Sequence, residues 1–575
     1  MFANITKYLL LTTLFTATSG QTSPRHQVTS IPGWTGPPPT KHWSGFVETD
    51  KPTGTNLFYY LVESQSSPST DPLFLWMNGG PGASSLAGVF GENGPLLLQD
   101  DLSLMQNPYA WNRQANVLAI EFGPGIGYSY CHNSTLADGP CSGVARQEGE
   151  CSPCFASDTS VATQNAIVLE TLLGDPTLFP ELAGRPLYIL GESYAGVYIP
   201  TLAIQILKRQ NSTELINLSG LWVTDPCTDN DAQFGWLDLG VDFAYQKGLI
   251  SGVTYDLLSG KKTQECIKGR TKVGDRLRNV NTMQCRRAWR LYDMATAGIG
   301  DAVHPAGIPN LPMYIDPLNA YGLAGGADLP AFLQSARKNF NAQQSPNTQY
   351  LVEIGNNGYD QYELEYAACN NKATPNAPSM VDVYRTIVDE VKQQKNGAAI
   401  NLGEIIILNG DIDPVVDMHG TEKAVRKIGF PVIAGQDRRP WFYNSTGTSA
   451  NVVTEKPTEW GPTLHTKNAG AQVGGFVIGF DVGMQVAGNG FDAIGMQVAG
   501  NAPQLQFRFV TVRNSGHMTP AYGPQKTLRV VYHALVGKQL LSPVLPATMF
   551  NVSDNEFYDK PGLFAQWVNS AMSNI

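Results

Sequence analysis

The sequence predicts an α/β protein with a central, mostly parallel sheet and an inserted, largely helical cap. Short, nearly continuous apolar segments end in glycine-rich turns, as in "PLFLWMNGGPG" and "EIIILNGDID". Such segments are typical of strands that are buried on both faces of a sheet. Helical segments such as "DTSVATQNAIVLETLLG" lie between them. Because strands alternate with helices, we expect reactive groups on the loops at the carboxyl ends of the strands.

The first segment of the chain is typical of a secretory signal peptide, which we place at residues 1–20. It carries one Lys, then an apolar stretch, then small residues that favour cleavage between Ser19 and Gln21. A membrane anchor is the alternative, but the apolar stretch is shorter than the ~20 residues that span a bilayer. We therefore expect a protein of the secretory pathway, secreted or vacuolar/lysosomal, without stable membrane insertion.

The remaining chain divides into a core and an insertion. The full chain of 575 residues exceeds the usual size of one domain. The first part of the core is predicted at 21–229 and starts with a hairpin of "HWSGFVETD" and "NLFYYLVES", in which apolar and polar residues alternate. Residues 230–395 are helical and loop-rich and form the predicted cap. The sheet then resumes in the second part of the core, 396–575.

The cysteines and glycosylation triplets agree with an oxidising compartment. An even number of cysteines predicts four disulfides, with the pairing left open, and zinc or redox chemistry at "CSPC" is less favoured because no second CxxC accompanies it. The eight cysteines are Cys131, Cys141, Cys151, Cys154, Cys227, Cys266, Cys285 and Cys369. The N-x-S/T acceptors are Asn133, Asn211, Asn217, Asn444 and Asn551.

The charge balance bears on the partners. The chain has 39 basic and 49 acidic residues, a net charge of −10, and no Lys/Arg-rich run. This composition argues against nucleic acid and against an anionic membrane surface as partners.

The strongest chemical signal is Ser193 in "RPLYILGESYAGVYIP". An apolar strand, a tight turn and a helix surround it, which is the context of a nucleophile elbow. The strict G-x-S-x-G pattern fails because Ala195 occupies the last position, and a helix-capping serine is the alternative.

A serine nucleophile needs a base and an orienting carboxylate. His517 follows the apolar run "FRFVTV", and Asp411, Asp413 and Asp417 follow "EIIILNG". The order Ser, Asp, His is that of α/β-hydrolases. Order and placement at strand ends thus agree for three groups.

With these motifs the sequence resembles the serine carboxypeptidases, which hydrolyse peptides from the C-terminus. The resemblance covers about 43–550 and is carried by "WMNGGPGASSLAGVFGENGP", "NPYAWNRQANVLAIEFGPGIGYSY", "GESYAGVYIP", "GDIDPVV" and "GHMTP". It implies an α/β-hydrolase fold and peptide or protein C-termini as substrates, with no metal and no cofactor. Some relatives dimerise, so a homodimer is possible.

The resemblance also implies roles for individual residues. Ser193 corresponds to the nucleophile, Asp413 to the triad carboxylate and His517 to the general base, while Asp411 is expected to stabilise its turn. The backbone N–H groups of Gly80 and Tyr194 correspond to the oxyanion hole.

Recognition of the substrate carboxylate is implied for Asn78, Glu192 and Glu92. In the family, an asparagine amide and a protonated glutamic acid bind the free C-terminus, and a second glutamate shares a hydrogen bond with the first. Two carboxyls in contact do not both ionise easily, so we expect activity that favours acid pH. Two solvated surface glutamates are the alternative.

The sequence departs from the family pattern in two blocks. Ala83 stands where the family has a cysteine that is bridged to the cap, so the family's disulfide pairing cannot be carried over. Glu121 and Phe122 replace an Asp-Gln pair near the elbow, which leaves the shape of the subsites open. An acyltransferase and a non-catalytic binding protein of the same fold remain alternatives, and Asp417 raises the hypothesis of a preference for basic leaving residues.

Overall fold

The computed structural model describes the chain in thirteen segments. They are residues 25–98, 103–124, 126, 128–129, 157–209, 215–233, 236–269, 278–296, 378–393, 401–413, 416–444, 471–483 and 505–536. The predicted signal peptide and the glycosylation sites Asn133, Asn211 and Asn551 lie outside them, as do Cys131, Cys141, Cys151, Cys154 and Cys369.

Most of the strands belong to one large sheet. The strands are β1 (His26–Val28), β2 (His42–Asp50), β3 (Thr55–Val62), β4 (Leu73–Met77), β5 (Leu96–Leu98), β6 (Leu104–Gln106), β7 (Asn116–Ile120), β8 (Pro186–Glu192), β9 (Asn217–Thr224), β10 (Glu404–Gly410), β11 (Arg439–Asn444), β12 (Ala471–Phe480) and β13 (Gln506–Val512). Eleven of them form a sheet in the order β1-β2-β3-β7-β4-β8-β9-β10-β13-β12-β11, and β5 pairs with β6.

The centre of the sheet is parallel and its flanks are antiparallel. From β7 to β13, each strand pairs in parallel with the next strand in the sheet. The predicted hairpin of β2 and β3 is confirmed as an antiparallel pair. The antiparallel edge of β11 and β12 was not predicted. The predicted α/β class with a mostly parallel centre is therefore confirmed.

Helices connect the parallel strands. They are α1 (Ser85–Gly88), α2 (Asp158–Gly174), α3 (Ala195–Lys208), α4 (Asn230–Gln233), α5 (Trp236–Gln246), α6 (Gly252–Leu258), α7 (Met283–Thr296), α8 (Met380–Gln393), α9 (Met418–Lys427), α10 (Thr519–Tyr522) and α11 (Pro524–Val536), with a π-helical turn at Val89–Asn93. No helix in the described segments has the length and apolar character needed to cross a membrane.

The sheet separates two apolar clusters. Successive side chains of a strand point to opposite faces, and β3 contributes Leu57, Tyr59 and Leu61 to one cluster and Phe58 and Tyr60 to the other. Because both faces are covered, the strands read as continuous apolar segments in the sequence.

Part of the predicted cap has a small core of its own. Helices α5, α6 and α7 pack around Leu258 and Trp289, and a disulfide joins Cys266 to Cys285. Helix α8, also placed in the cap by the sequence, instead contributes Tyr384 and other residues to the main core cluster beside α3. The domain boundaries stay a prediction.

Candidate active site

Four adjacent strands bring the candidate residues to one edge of the sheet. Strands β8, β9, β10 and β13 are neighbours and run parallel. The chain leaving them carries, in sheet order, Ser193, Asp225, Asp413 and His517. The order of the strands in the sheet therefore gathers residues that are up to 324 positions apart in the chain.

Ser193 lies on a sharp turn between β8 and α3. Its φ is 62°, in the left-handed region that residues with side chains seldom adopt. Hydrogen bonds hold the turn: Ser193 N donates to Thr224 O, and Gly196 N and Cys227 N donate to Ser193 O, each at 2.9 Å. This backbone is that of the predicted nucleophile elbow.

The loop after β4 packs directly against the elbow. A Cβ on Gly79 would lie 2.4 Å from Tyr194 N and 2.7 Å from Ser193 Cβ, so only glycine fits this approach. The next residue, Gly80, has φ 113°. Tyr194 is the N-cap of α3, where backbone N–H groups and the helix dipole favour negative charge.

Asp413 and His517 form a buried pair. Nδ1 of His517 donates to Oδ2 of Asp413 at 2.8 Å. Asp413 is 1% exposed and His517 is 5% exposed. The hydrogen bond fixes the ring so that Nε2 is the nitrogen available for proton transfer.

A second pair of acids lies close by. Asn78, Glu92 and Glu192 are buried, and Asn78 Nδ2 donates to Glu92 Oε1 at 3.4 Å. The orientation of Asn78 is fixed because its Oδ1 accepts hydrogen bonds from Trp76 Nε1 (2.8 Å) and Gly88 N (2.9 Å). The alternative of two solvated glutamates is therefore wrong.

Burial raises the affinity of both glutamates for protons, and Glu92 raises that of Glu192 further. Burial raises the pKa of Glu92 to about 7, against hydrogen bonds from Glu192 and Asn78 that lower it. Burial, followed by the neighbouring Glu92, holds the pKa of Glu192 well above its usual range. Oε2 of each carboxyl receives no hydrogen bond from an N–H or O–H group in the described segments. Two buried acids that face each other in this way are expected to share a proton.

The structure adds Asp225, which the sequence analysis missed. It is fully buried after β9, and it lies with Asp413 and His517 in the one described group of side chains whose potential metal ligands are within 4.8 Å of one another. The side chains of this group already form hydrogen bonds: His517 Nδ1 donates to Asp413, and Asp225 Oδ1 accepts from Gly410 N. The sequence contained a signal for this residue, since Asp225 directly follows the apolar segment of β9.

Neighbouring acids have structural contacts. Asp411 Oδ1 accepts from Asn514 N at 2.6 Å, as expected for a turn-stabilising residue. Asp417 caps α9, accepting from His419 N and Gly420 N, which accounts for this carboxylate without a substrate. Glu121 accepts from Ser84 Oγ at 2.5 Å and Ser85 N at 3.2 Å, and so holds the chain that follows the Gly79 loop.

Comparison with known proteins agrees with this architecture. The family model described as serine carboxypeptidase matches residues 32–537. The chain is 30% identical to serine carboxypeptidase-like 36 of Arabidopsis thaliana over 430 residues, which cover 74% of this chain and 78% of that protein. It is 36% identical to the lysosomal protective protein of Mus musculus over 244 residues, 42% of this chain and 45% of that protein.

A solved structure has the same fold. The crystal structure of Kex1Δp, a prohormone-processing carboxypeptidase from Saccharomyces cerevisiae, aligns with a TM-score of 0.50 and 18% identity, covering 86% of this chain and 92% of that one. The predicted α/β-hydrolase fold is confirmed. With a family match over most of its length, the chain belongs to the serine carboxypeptidase family.

Proposed function

We propose that this protein is a serine carboxypeptidase that releases single C-terminal amino acids from peptides and proteins and is most active at acid pH. The observation that carries the proposal is the buried Glu92–Glu192 pair. The pair lies beside the proposed nucleophile, because Glu192 is the residue before Ser193. The site therefore offers a neutral acid, rather than a cation, to a group next to the reacting bond.

Acylation would use Ser193, His517 and Asp413. Ser193 Oγ attacks the carbonyl carbon of the last peptide bond while Nε2 of His517 takes its proton. His517 then gives this proton to the leaving amino group, and water completes the cycle by attacking the acyl-enzyme. Asp413 holds the ring at 2.8 Å and stabilises the imidazolium that forms during both steps.

The oxyanion of each tetrahedral intermediate would lie between Gly80 N and Tyr194 N. The close packing of Gly79 on Tyr194 N supports this assignment, because it brings the two backbone segments together beside Ser193. Losing one such donor typically costs about 3 kcal/mol of transition-state stabilisation.

The substrate carboxylate would be bound by Asn78 and protonated Glu192. A protonated carboxyl donates a hydrogen bond to the substrate carboxylate, whereas an ionised one repels it. Because burial raises the pKa of Glu92 to about 7 and holds that of Glu192 well above its usual range, the pair keeps a proton at acid pH. Binding should weaken as the pH rises above neutrality.

The test is a pH profile of kcat/KM with a blocked dipeptide that has a free C-terminal carboxylate, measured for the wild type and Glu192→Gln. We expect an acid optimum for the wild type. Glu192→Gln should lose roughly tenfold at pH 5 but show a flat alkaline limb, since its amide donates at every pH. The matched control is Glu48→Gln. Glu48 is a half-buried acid on β2, in the antiparallel flank that contains β1, β2 and β3. Full activity of the wild type at alkaline pH would refute the proposal.

Two further measurements separate the alternatives. Release of an amino acid from the dipeptide, compared with transfer from an acyl-glucose to an alcohol, distinguishes a peptidase from an acyltransferase. Covalent labelling of Ser193 by a fluorophosphonate, with Ser193→Ala as the control, distinguishes either enzyme from a binding protein. A wild type that is not labelled would favour the binding protein.

We also propose that the chain enters the secretory pathway, for secretion or for delivery to a vacuole or lysosome. The Cys266–Cys285 disulfide and the N-x-S/T triplets support an oxidising compartment. N-terminal sequencing of the purified protein, with a mobility shift after endoglycosidase treatment, tests this proposal. A start at Met1 without any shift would contradict it.

A further inference from the structure

Asp225 is a fully buried carboxyl among the candidate residues, and the reaction proposed above gives it no step. It follows β9, which lies between β8 and β10. Its φ is 47°, a left-handed conformation that costs energy for residues with side chains, although Asp tolerates it better than most. Strained, buried polar residues persist where the surrounding structure fixes them, and they cluster at functional sites.

One oxygen of Asp225 holds the loop that carries Asp413. Oδ1 accepts from Gly410 N at 2.8 Å and from Asn409 Nδ2 at 2.9 Å. The same Asn409 amide donates to Val416 O at 3.0 Å, on the far side of Asp413. Asp413 N donates to Gly410 O at 3.3 Å. The carboxyl of Asp225 is thereby linked to both ends of the Asp413 loop.

The other oxygen reaches the loop that carries His517. Oδ2 forms a short hydrogen bond with Oγ1 of Thr519, and Thr519 Oγ1 is also 3.1 Å from Gly516 O. The hydroxyl of Thr519 has one proton for these two oxygens. If Asp225 is protonated at Oδ2, it donates to Thr519 and Thr519 donates to Gly516. If Asp225 is ionised, one of the two contacts has no proton.

The surrounding charges favour the neutral form. The titratable groups that face Asp225 are Asp413 on the loop after β10, His517 on the loop after β13, and Glu192 at the end of β8. Burial and, after it, the charge of Asp413 hold the pKa of Asp225 well above its usual range. The single proton of the Thr519 hydroxyl and the negative charge of Asp413 thus both favour a neutral Asp225.

We propose that Asp225 is a positioning residue, a neutral carboxylic acid that ties the Asp413 loop to the His517 loop through Thr519. The inference rests on the roles proposed for Ser193, His517 and Asp413. Asp225 does not contact the substrate. It keeps the two loops in register, so that the hydrogen bond between Asp413 and His517 retains its geometry during proton transfer.

The test compares two substitutions at one position. Asp225→Asn reproduces the neutral acid, because its amide oxygen can accept from Gly410 and Asn409 while its NH2 donates to Thr519. Asp225→Ala removes both contacts. The readouts are the rate of fluorophosphonate labelling and the separate kcat and KM of amino-acid release. We expect Asp225→Asn to stay within about threefold of the wild type and Asp225→Ala to lose roughly 100-fold in labelling rate and kcat, with KM little changed.

A second pair of variants probes the other end of the network and keeps the proposal testable if Asp225→Ala fails to fold. Thr519→Val should lose labelling rate and kcat, and Thr519→Ser, which restores the hydroxyl, should recover most of both. Asp389→Asn, an exposed acid on α8, is the control for charge removal.

The outcomes are distinct. Equal losses in Asp225→Asn and Asp225→Ala would overturn the neutral acid, and normal labelling of Asp225→Ala or of Thr519→Val would overturn the positioning role. Labelling needs no C-terminal carboxylate. Labelling without amino-acid release would therefore count against the proposed function and leave this comparison of variants intact.

Discussion

Two buried acids close to Ser193 differ in their neighbours. Asp413 is 1% exposed and Glu192 is 4% exposed, so both are removed from water to a similar degree. Asp413 receives the Nδ1–H of His517 at 2.8 Å. Glu192 faces Glu92, and burial, followed by the charge of Glu92, raises the pKa of Glu192.

The contrast teaches that the neighbour, and not burial alone, decides what a buried carboxyl can do. Burial disfavours the ionised form of any acid, and a donor or cation compensates while a second acid adds to the cost. An acid paired with imidazole can therefore orient and stabilise a cation. An acid paired with another acid can instead serve as a hydrogen-bond donor. Amide substitutions separate these roles, because an amide imitates a protonated acid but not an ionised one.

The largest effect is expected for Asp413→Asn. The amide carries no negative charge to stabilise an imidazolium. When its NH2 group donates to Nδ1, it favours the tautomer with Nε2–H, which cannot take the proton of Ser193. We expect kcat to fall roughly 10⁴-fold at every pH. The steady-state rate of amino-acid release from a blocked dipeptide measures this loss of kcat. In the same assay Glu192→Gln should lose far less at pH 5, and equal losses in the two variants would remove the distinction between the acids.

The next largest effect is expected for Gly79→Ala, which disturbs the backbone on either side of Ser193. The new Cβ would lie 2.4 Å from Tyr194 N and 2.6 Å from Glu192 O, and both are backbone atoms that cannot move aside easily. We expect a loss of roughly 10² to 10³ in kcat, the range for one lost oxyanion donor.

The control for Gly79→Ala is Gly248→Ala. Gly248 has a positive φ (72°), and a Cβ there would meet no atom within 4 Å. It should therefore lose only stability and not kcat. A Gly79→Ala variant with normal kcat would contradict the close packing of the loop on the elbow.

A smaller effect is expected for Glu92→Gln. Removing the charge of Glu92 removes one cause of the raised pKa of Glu192. Glu192 should then ionise at lower pH, so the alkaline limb of kcat/KM moves toward acid, with a severalfold loss at neutral pH and little change at pH 5. The limb should shift in Glu92→Gln and flatten in Glu192→Gln. An unchanged profile in Glu92→Gln would show that the two acids do not interact.

The smallest expected effect is on stability and extends the comparison to Glu121. Burial raises the pKa of this acid to about 7. Between its usual value of 4.5 and about 7, the folded state binds more protons than the unfolded state, so the free energy of unfolding decreases as the pH rises. The full shift corresponds to about 3 kcal/mol.

Urea unfolding at pH 5 and pH 8 measures this dependence. In Glu121→Gln the decrease between the two pH values should be smaller by up to that amount, while Glu48→Gln should behave as the wild type does. Glu92 contributes in the same sense, so part of the decrease should remain. The same decrease in Glu121→Gln as in the wild type would indicate that Glu121 is ionised across this range.

The sequence alone was sufficient for the centre of the fold. Strands β4, β7, β8 and β10 are buried on both faces, and this environment requires the apolar segments by which they were predicted. The edge strands β11 and β12 were missed. These two strands pair with each other, with a register shift after Trp441, and β12 also pairs with β13. This pairing depends on distant strands, so the local sequence shows only a weak strand pattern.

The sequence by itself also predicted the roles of Ser193, Asp413 and His517. Each lies on the chain that leaves a recognisable strand, and the resemblance to the family selected Asp413 among three nearby acids. Tertiary structure decided how the acids interact. Asp225 and Thr519 are 294 residues apart and Ser84 and Glu121 are 37 apart, so no local pattern reports their hydrogen bonds. Whether a carboxyl is buried beside an imidazole or beside another carboxyl depends on which strands become neighbours. That order is set by the packing of the whole sheet, and it fixes the protonation of each acid through desolvation and short-range charge.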